Sequence, residues 1–251
     1  MQKRNKTIIY SIIILFYSCT YKETEIVNYE EYYDTIYKKI KVKGQIINSN
    51  EEGLWTYYDE SGKLIQSGKY SKGIQDGEWT YFFKDILPTS LKWKSKKSLS
   101  ERYFFSLPTT FISEKDIKES YIAYDSINKD VFSIKESNGK SDEDIKKYAK
   151  ATYLDLAKNF KIINNSFSKI NTSNNSFYID SYLIKSNGID SIELFQQNLH
   201  SIFQNKIVTI SFSSVPKDSL KVKFFIGEIY YHLFVDNKRV AYPFEKLVNK
   251  E

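Results

Sequence analysis

The chain has 251 residues, of which 37 are Lys or Arg and 31 are Asp or Glu, giving a formal net charge of +6. Three of those positive charges, Lys3, Arg4 and Lys6, lie in the first six residues, so the rest of the chain is near charge balance, which excludes the concentrated basic face of a nucleic-acid binder. One cysteine and two histidines exclude a disulfide framework and a zinc site built mainly from Cys and His.

The amino terminus has the parts of an export signal: a positive end, an apolar run from Ile8 to Tyr17, then Ser18 directly before the lone cysteine, Cys19. Ten apolar residues rise only about 15 Å as a helix, half of the ~30 Å hydrocarbon core, so the segment is too short to stay in the membrane as a span. This arrangement resembles the lipobox of bacterial lipoproteins, which implies cleavage after residue 18 and a lipid on Cys19. The alternative is an ordinary secretory signal with a chance cysteine. The lipoprotein reading places residues 1–18 as the signal and 19–41 as a lipidated tether that becomes ordered near its end, with a first strand of the next module from about residue 35 as the other reading. It puts the chain in the cell envelope, anchored to a bacterial membrane and most simply the outer one. Two or three acyl chains hold a protein durably where one does not.

Residues 42–95 carry six of the nine glycines and all three tryptophans. Gly53-Leu54-Trp55-Thr56-Tyr57-Tyr58 recurs as Gly77-Glu78-Trp79-Thr80-Tyr81-Phe82, and Gly44 recurs as Gly68, both at an offset of 24. A fixed short period signals copied supersecondary units, and strand alternation puts Trp55 with Tyr57 and Trp79 with Tyr81 on one face. The segment resembles MORN repeats, which implies an antiparallel β-hairpin sheet used as a binding or scaffolding surface. Trp55, Tyr57, Trp79 and Tyr81 are therefore a candidate interaction surface, with simple core packing as the other reading.

The basic, aperiodic stretch Lys94 to Ser100 predicts a boundary, with a second domain over 101–251. Strands are predicted at 102–107, 120–125 and 131–136. A helix capped by Ser141 should follow, with Asp142, Glu143 and Asp144 in its first turn and Ile145, Ala149, Tyr153, Leu156 and Phe160 as its apolar stripe. Further strands are predicted at 161–168, 176–185 and 207–213, and a last helix opens at Pro216 with Val222, Phe225, Ile226, Ile229 and Leu233 on its apolar face. The stretch 191–203 fits helix or strand; a strand is preferred because the polar turn Gln204-Asn205-Lys206 then joins it to the next. This order of elements resembles the PsbP/Mog-type fold, which implies an α/β/α sandwich with a mostly antiparallel sheet and mostly non-enzymatic members. The whole chain is thus expected to be α+β.

No Gly-x-Ser-x-Gly elbow and no complete phosphate loop is present. His200 and His232 are expected as surface or half-buried polar residues. No catalytic residue, cofactor site or metal site is assigned. Asp34-Thr35-Ile36, Asp125-Ser126-Ile127, Asp190-Ser191-Ile192 and Asp218-Ser219-Leu220 resemble the Asp-Ser/Thr-aliphatic acceptor of periplasmic O-glycosylation in some bacteria. Two functions remain: a non-catalytic, lipid-anchored scaffold for another envelope protein or a glycan, without nucleic acid, or an envelope enzyme or small-ligand receptor with a pocket in 101–251.

Overall fold

The computed structural model describes residues 24–82, 90–98, 100–117, 120–125, 127–171, 176–187 and 191–241. The export signal and Cys19 lie outside them. Seven strands follow in a meander: β1 (Ile26–Tyr32), β2 (Ile40–Ile47), β3 (Asn50–Tyr58), β4 (Leu64–Ser71), β5 (Ile74–Tyr81), β6 (Ser90–Lys97) and β7 (Tyr103–Pro108). Then come β8 (Phe111–Ile117), β9 (Ser120–Asp125), β10 (Asp130–Asn138), helix α1 (Asp142–Asn159), β11 (Phe160–Asn171), β12 (Ser176–Ser186), β13 (Glu193–Phe203), β14 (Lys206–Ser214), helix α2 (Ser219–Tyr231) and the short hairpin β15 (Phe234–Val235) and β16 (Lys238–Arg239). Two sheets result, one ordered β1-β2-β3-β4-β5-β6-β7-β15-β16 and the other β11-β12-β13-β14-β10-β9-β8. The described ladders, for example β2 with β3 and β13 with β14, are antiparallel.

The 24-residue offset acquires a physical cause in the first sheet. Gly68 lies opposite Trp55 in the β3–β4 ladder. A Cβ on Gly44 would come 2.1 Å from the Trp55 indole, and one on Gly68 would come equally close to Trp79. Each indole lies flat over a glycine of the preceding strand, so the repeat is a glycine–tryptophan step copied along the sheet. The indole N–H groups are satisfied locally, Trp55 Nε1 donating to the Glu52 carbonyl at 3.2 Å and Trp79 Nε1 to the Lys69 carbonyl at 3.0 Å. Positive-φ glycines, Gly53 at 68° and Gly77 at 70°, sit at the equivalent bends where a side chain would be strained.

Two expectations need correction here. The tether expected over 19–41 contains β1, which pairs with β2 in register Tyr29↔Gly44 and stacks Tyr29 on Trp55 at 5.7 Å; the tyrosine-rich composition supplies a strand face, not a solvated linker. The boundary expected near 94–100 is crossed by the β6–β7 ladder, and the last described hairpin, β15–β16, joins the first sheet through β7. The 42–95 and 101–251 segments therefore share a sheet, and their buried side chains form a common core. The expected second antiparallel sheet with a helix on each face is present, α1 covering one face and α2 the other, and the first sheet packs on the far side of α2.

Of the predicted α2 stripe, Val222, Phe225, Ile226 and Ile229 are buried on the helix, while Leu233, also buried, follows its end. Phe225 meets Trp93 of the first sheet at 5.6 Å and stacks on Phe212 of the second at 5.2 Å. Each such ring taken fully from water contributes about 1.5–3 kcal/mol. The capped start of α1 is also as predicted, Ser141 Oγ accepting the Asp144 N–H at 3.2 Å while Asp144 Oδ2 accepts the Ser141 N–H at 3.1 Å. Its stripe is only half used. Ile145 is buried against Tyr178 and Ile207 and Ala149 is buried as well, whereas Tyr153 is exposed and Leu156 half-buried, because the strands under the distal turns of the helix present polar side chains.

A polar cluster ties the closing hairpin to the repeat sheet. Arg239 donates from Nη1 and Nη2 to the two oxygens of buried Glu51 at 2.7 and 2.9 Å, and its Nη2 lies 2.8 Å from His232 Nδ1. His232 Nε2 is 3.1 Å from the Tyr70 hydroxyl, which is 3.1 Å from that of Tyr57. Burial and the Arg239 charge hold His232 well below the ordinary imidazole range. Next to them, Glu228 accepts from Gln75 Nε2 at 2.8 Å, and burial with the nearby Glu51 carboxylate pushes its pKa up to about 7.

Candidate functional site

The second sheet has two unlike faces because its strands alternate two unlike residue sets. On β14, Val208, Ile210 and Phe212 point to α2, while Thr209, Ser211 and Ser213 point the other way, toward α1. On β13, Leu199 faces α2 and Gln196, Asn198 and His200 face α1. Ser133 and Lys135 of β10 continue the polar floor, and Tyr148, Thr152, Asp155 and Leu156 of α1 form the wall. Between wall and floor lies a groove of about 500 Å³, within the size range of small-molecule sites.

Its centre is a buried hydrogen-bonded chain. His200 Nδ1 is 2.9 Å from Thr209 Oγ1, and Tyr148 hydrogen-bonds the same hydroxyl. Tyr148 meets the His200 ring edge-on at 5.7 Å, and burial raises the Tyr148 phenol above its ordinary range. On the far side of the imidazole, Asp180 Oδ2 lies 3.2 Å from His200 Nε2 and accepts the Tyr182 hydroxyl at 2.8 Å. The Nε2 contact is close but not aligned as a hydrogen bond. Gln196 Nε2 donates to Asn198 Oδ1 at 3.0 Å, while Asn198 Nδ2 has no partner although the residue is only 1 % exposed. An unpaired buried amide donor costs about 1–3 kcal/mol, so the floor of this groove is tolerated at the expense of stability.

Chemically, the groove offers amides, hydroxyls and an imidazole, with one cation, Lys135, and one anion, Asp155, on its lining. It can donate and accept many neutral hydrogen bonds and carries little net field. Among the described residues, no three His, Cys, Asp or Glu side chains converge to hold a metal ion, and no helix is long and apolar enough to cross a membrane.

The residues proposed from sequence as an interaction surface lie elsewhere. Trp55, Trp79 and Tyr81 are fully buried and Tyr57 packs against the same core. Their rings face α2 and the second sheet, Tyr81 meeting Phe224 edge-on at 5.5 Å, so they form the core of the molecule and not a surface. Cys19 is outside the described residues. His200 and His232 are both buried, deeper than the expected surface or half-buried placement, because each fills a polar site against a packed element. The groove residues had one legible signal, the polar set Gln196, Asn198 and His200 at alternate positions of β13, matched across the ladder by Thr209, Ser211 and Ser213 of β14.

No protein-family model matches the chain, and no curated protein sequence does. Among solved structures it is similar to cyanobacterial PsbP (CyanoP) from Synechocystis sp. PCC 6803, with 16 % identity and a TM-score of 0.42, over 57 % of this chain and 92 % of that one. It is also similar to the Ran-binding protein Mog1p of Saccharomyces cerevisiae, with 10 % identity and a TM-score of 0.44, over 60 % of this chain and 97 % of that one.

Proposed function

We propose that the chain is a lipid-anchored cell-envelope protein, held to its membrane through Cys19, that binds a neutral, hydroxylated ligand of glycan type in the groove beneath α1. The observation that carries the ligand reading is the buried, unpartnered Asn198 amide on the floor of a groove lined by amides and hydroxyls. A ligand hydroxyl accepting from Asn198 Nδ2 would satisfy that donor, and the near-neutral lining favours an uncharged molecule over a phosphate or a peptide carboxylate. The MORN-like repeat sheet then acts as a rigid framework, since its tryptophans are spent on the core.

A second reading, acyl transfer with Thr209 as nucleophile, draws on the Asp180–His200–Thr209 chain. It lacks support where the chemistry is most demanding. Thr209 lies on a central strand, paired with His200 on one side and Lys135 on the other, so its backbone N–H belongs to a ladder and cannot serve an oxyanion. The chain of polar groups is better suited to orienting His200 and Tyr148 for ligand binding.

Calorimetric titration of the detergent-extracted full-length protein with tri-N-acetylchitotriose tests the ligand reading. Saturable binding, weakened at least tenfold by Asn198→Leu and retained in Leu54→Ser, an exposed position of the first sheet outside the groove lining, is the expected result; heats that do not saturate, or equal affinity in Asn198→Leu, would overturn it. Membrane partitioning of Cys19→Ser tests the anchor separately, with release into the soluble envelope fraction expected.

A further inference from the structure

The four Asp-Ser/Thr-aliphatic triplets share a structural property that their composition does not require. The aliphatic that ends each one is exposed: Ile36 at 64 %, Ile127 at 76 %, Ile192 at 57 % and Leu220 at 54 %. Three lie on connections, Ile36 between β1 and β2, Ile127 in the turn between β9 and β10 and Ile192 just before β13, while Leu220 lies in the first turn of α2. Turns are ordinarily polar, and a large aliphatic held in water forgoes about 1.5–3 kcal/mol of burial. In all four the exposed aliphatic directly follows a hydroxyl residue that itself follows an acid.

The triplets differ in how their acids are used. Asp125 is buried and accepts from the N–H groups of Ile127 and Asn128, from Asn128 Nδ2 and from the Thr110 hydroxyl, so it is turned inward and holds its turn. Asp218 is paired with Lys221 at 3.1 Å. Asp34 accepts the Lys38 N–H at 2.9 Å, which closes a protruding turn whose next three residues, Thr35, Ile36 and Tyr37, are all exposed. An enzyme reading acid, hydroxyl and aliphatic together could reach all three side chains here without unfolding the protein.

We propose that Thr35 is an O-glycosylation site, modified on the envelope side after export. Thr35 Oγ1 attacks the anomeric carbon of an activated glycosyl diphosphate donor; the new C–O bond forms as the bond from that carbon to the diphosphate oxygen breaks. The diphosphate leaves with the electron pair, and the hydroxyl proton passes to a base of the glycosyltransferase. A bulky, hydrated saccharide at this turn would cover Ile36 and Tyr37 and sit on the β1–β2 end of the first sheet, away from the α1 groove. The modification requires the export proposed above but not ligand binding in the groove.

The test is mass spectrometry of the full-length protein purified from membranes of its native host, with glycan-retaining fragmentation of the tryptic peptide 23–38. Saccharide mass increments located on Thr35 are expected, with loss of those increments in Thr35→Val and also in Ile36→Asp, a change at an exposed position that leaves the thermal unfolding midpoint in place. An unmodified peptide from membrane-associated protein would overturn the proposal while leaving export intact, as would increments that persist in Thr35→Val. Increments persisting in Ile36→Asp alone would overturn the role given to the exposed aliphatic.

Discussion

The two faces of the β12–β13–β14 region are made by the same strands and do opposite things. Toward α2, Phe177, Leu199, Val208, Ile210 and Phe212 join a continuous aromatic core that reaches the tryptophans of the first sheet. Toward α1, Asp180, Asn198, His200 and Thr209 are equally removed from water, yet they carry polar atoms of which several lack an aligned partner. The first face gains stability from burial; the second gives some of it up. A protein under selection for stability alone would fill the second face with leucine and isoleucine and seat all of α1, so the polar face and the half-seated helix are what mark the groove as the candidate site.

The largest effect should come from breaking the apolar face. Phe212→Ala removes a ring that touches Phe111, Phe132 and Phe225 and should cost about 3–5 kcal/mol, read as a lower urea midpoint at unchanged slope. The interface between the first sheet and α2 sharpens the comparison through pH. Glu228 has a folded pKa near 7 against 4.5 for a free glutamate, so the folded state holds a proton between those values that the unfolded state has released. Stability contributed by this group is present below about pH 4.5, falls as pH rises toward 7, and is absent above it. Glu228→Gln keeps an acceptor for Gln75 and removes the titration. It should be more stable than wild type by on the order of 2 kcal/mol at pH 8, and the two proteins should converge near pH 4.5, as measured by urea unfolding at both values.

Most of the second region was legible residue by residue. Ser141 with the acids behind it fixed the start of α1, Pro216 preceded α2 by one short turn, and the polar Gln204-Asn205 turn resolved the ambiguous 191–203 stretch as β13. These signals are local, set by capping, proline geometry and strand alternation. What was not legible is non-local. Nothing in Phe234 and Val235 says that two residues will pair with Tyr103 and Phe104, and Gly44 does not reveal alone that Trp55 will lie over it. The repeat pointed to a tryptophan face, but which way that face turns depends on α2, more than a hundred residues later. The groove was half visible, as alternating polar residues on β13 and β14; the meeting of Asp180, His200 and Thr209 depends on the register of three strands.

The smallest effect on stability should accompany the sharpest effect on binding. Asn198→Leu replaces a buried amide by an apolar side chain of nearly the same shape. It deletes the unpartnered Nδ2 and frees Gln196, which is half-buried at the groove and can turn its amide to water. Because the lost donor was already unsatisfied, its removal returns a desolvation cost and sacrifices only one neutral hydrogen bond, and the two terms nearly cancel. Urea unfolding should therefore place the variant within about 1 kcal/mol of wild type, on the stabilised side, even though the site is as buried as Phe212. A loss of several kcal/mol would mean that the amide is a structural member of the sheet, and the contrast between the two faces would then be one of composition and not of purpose.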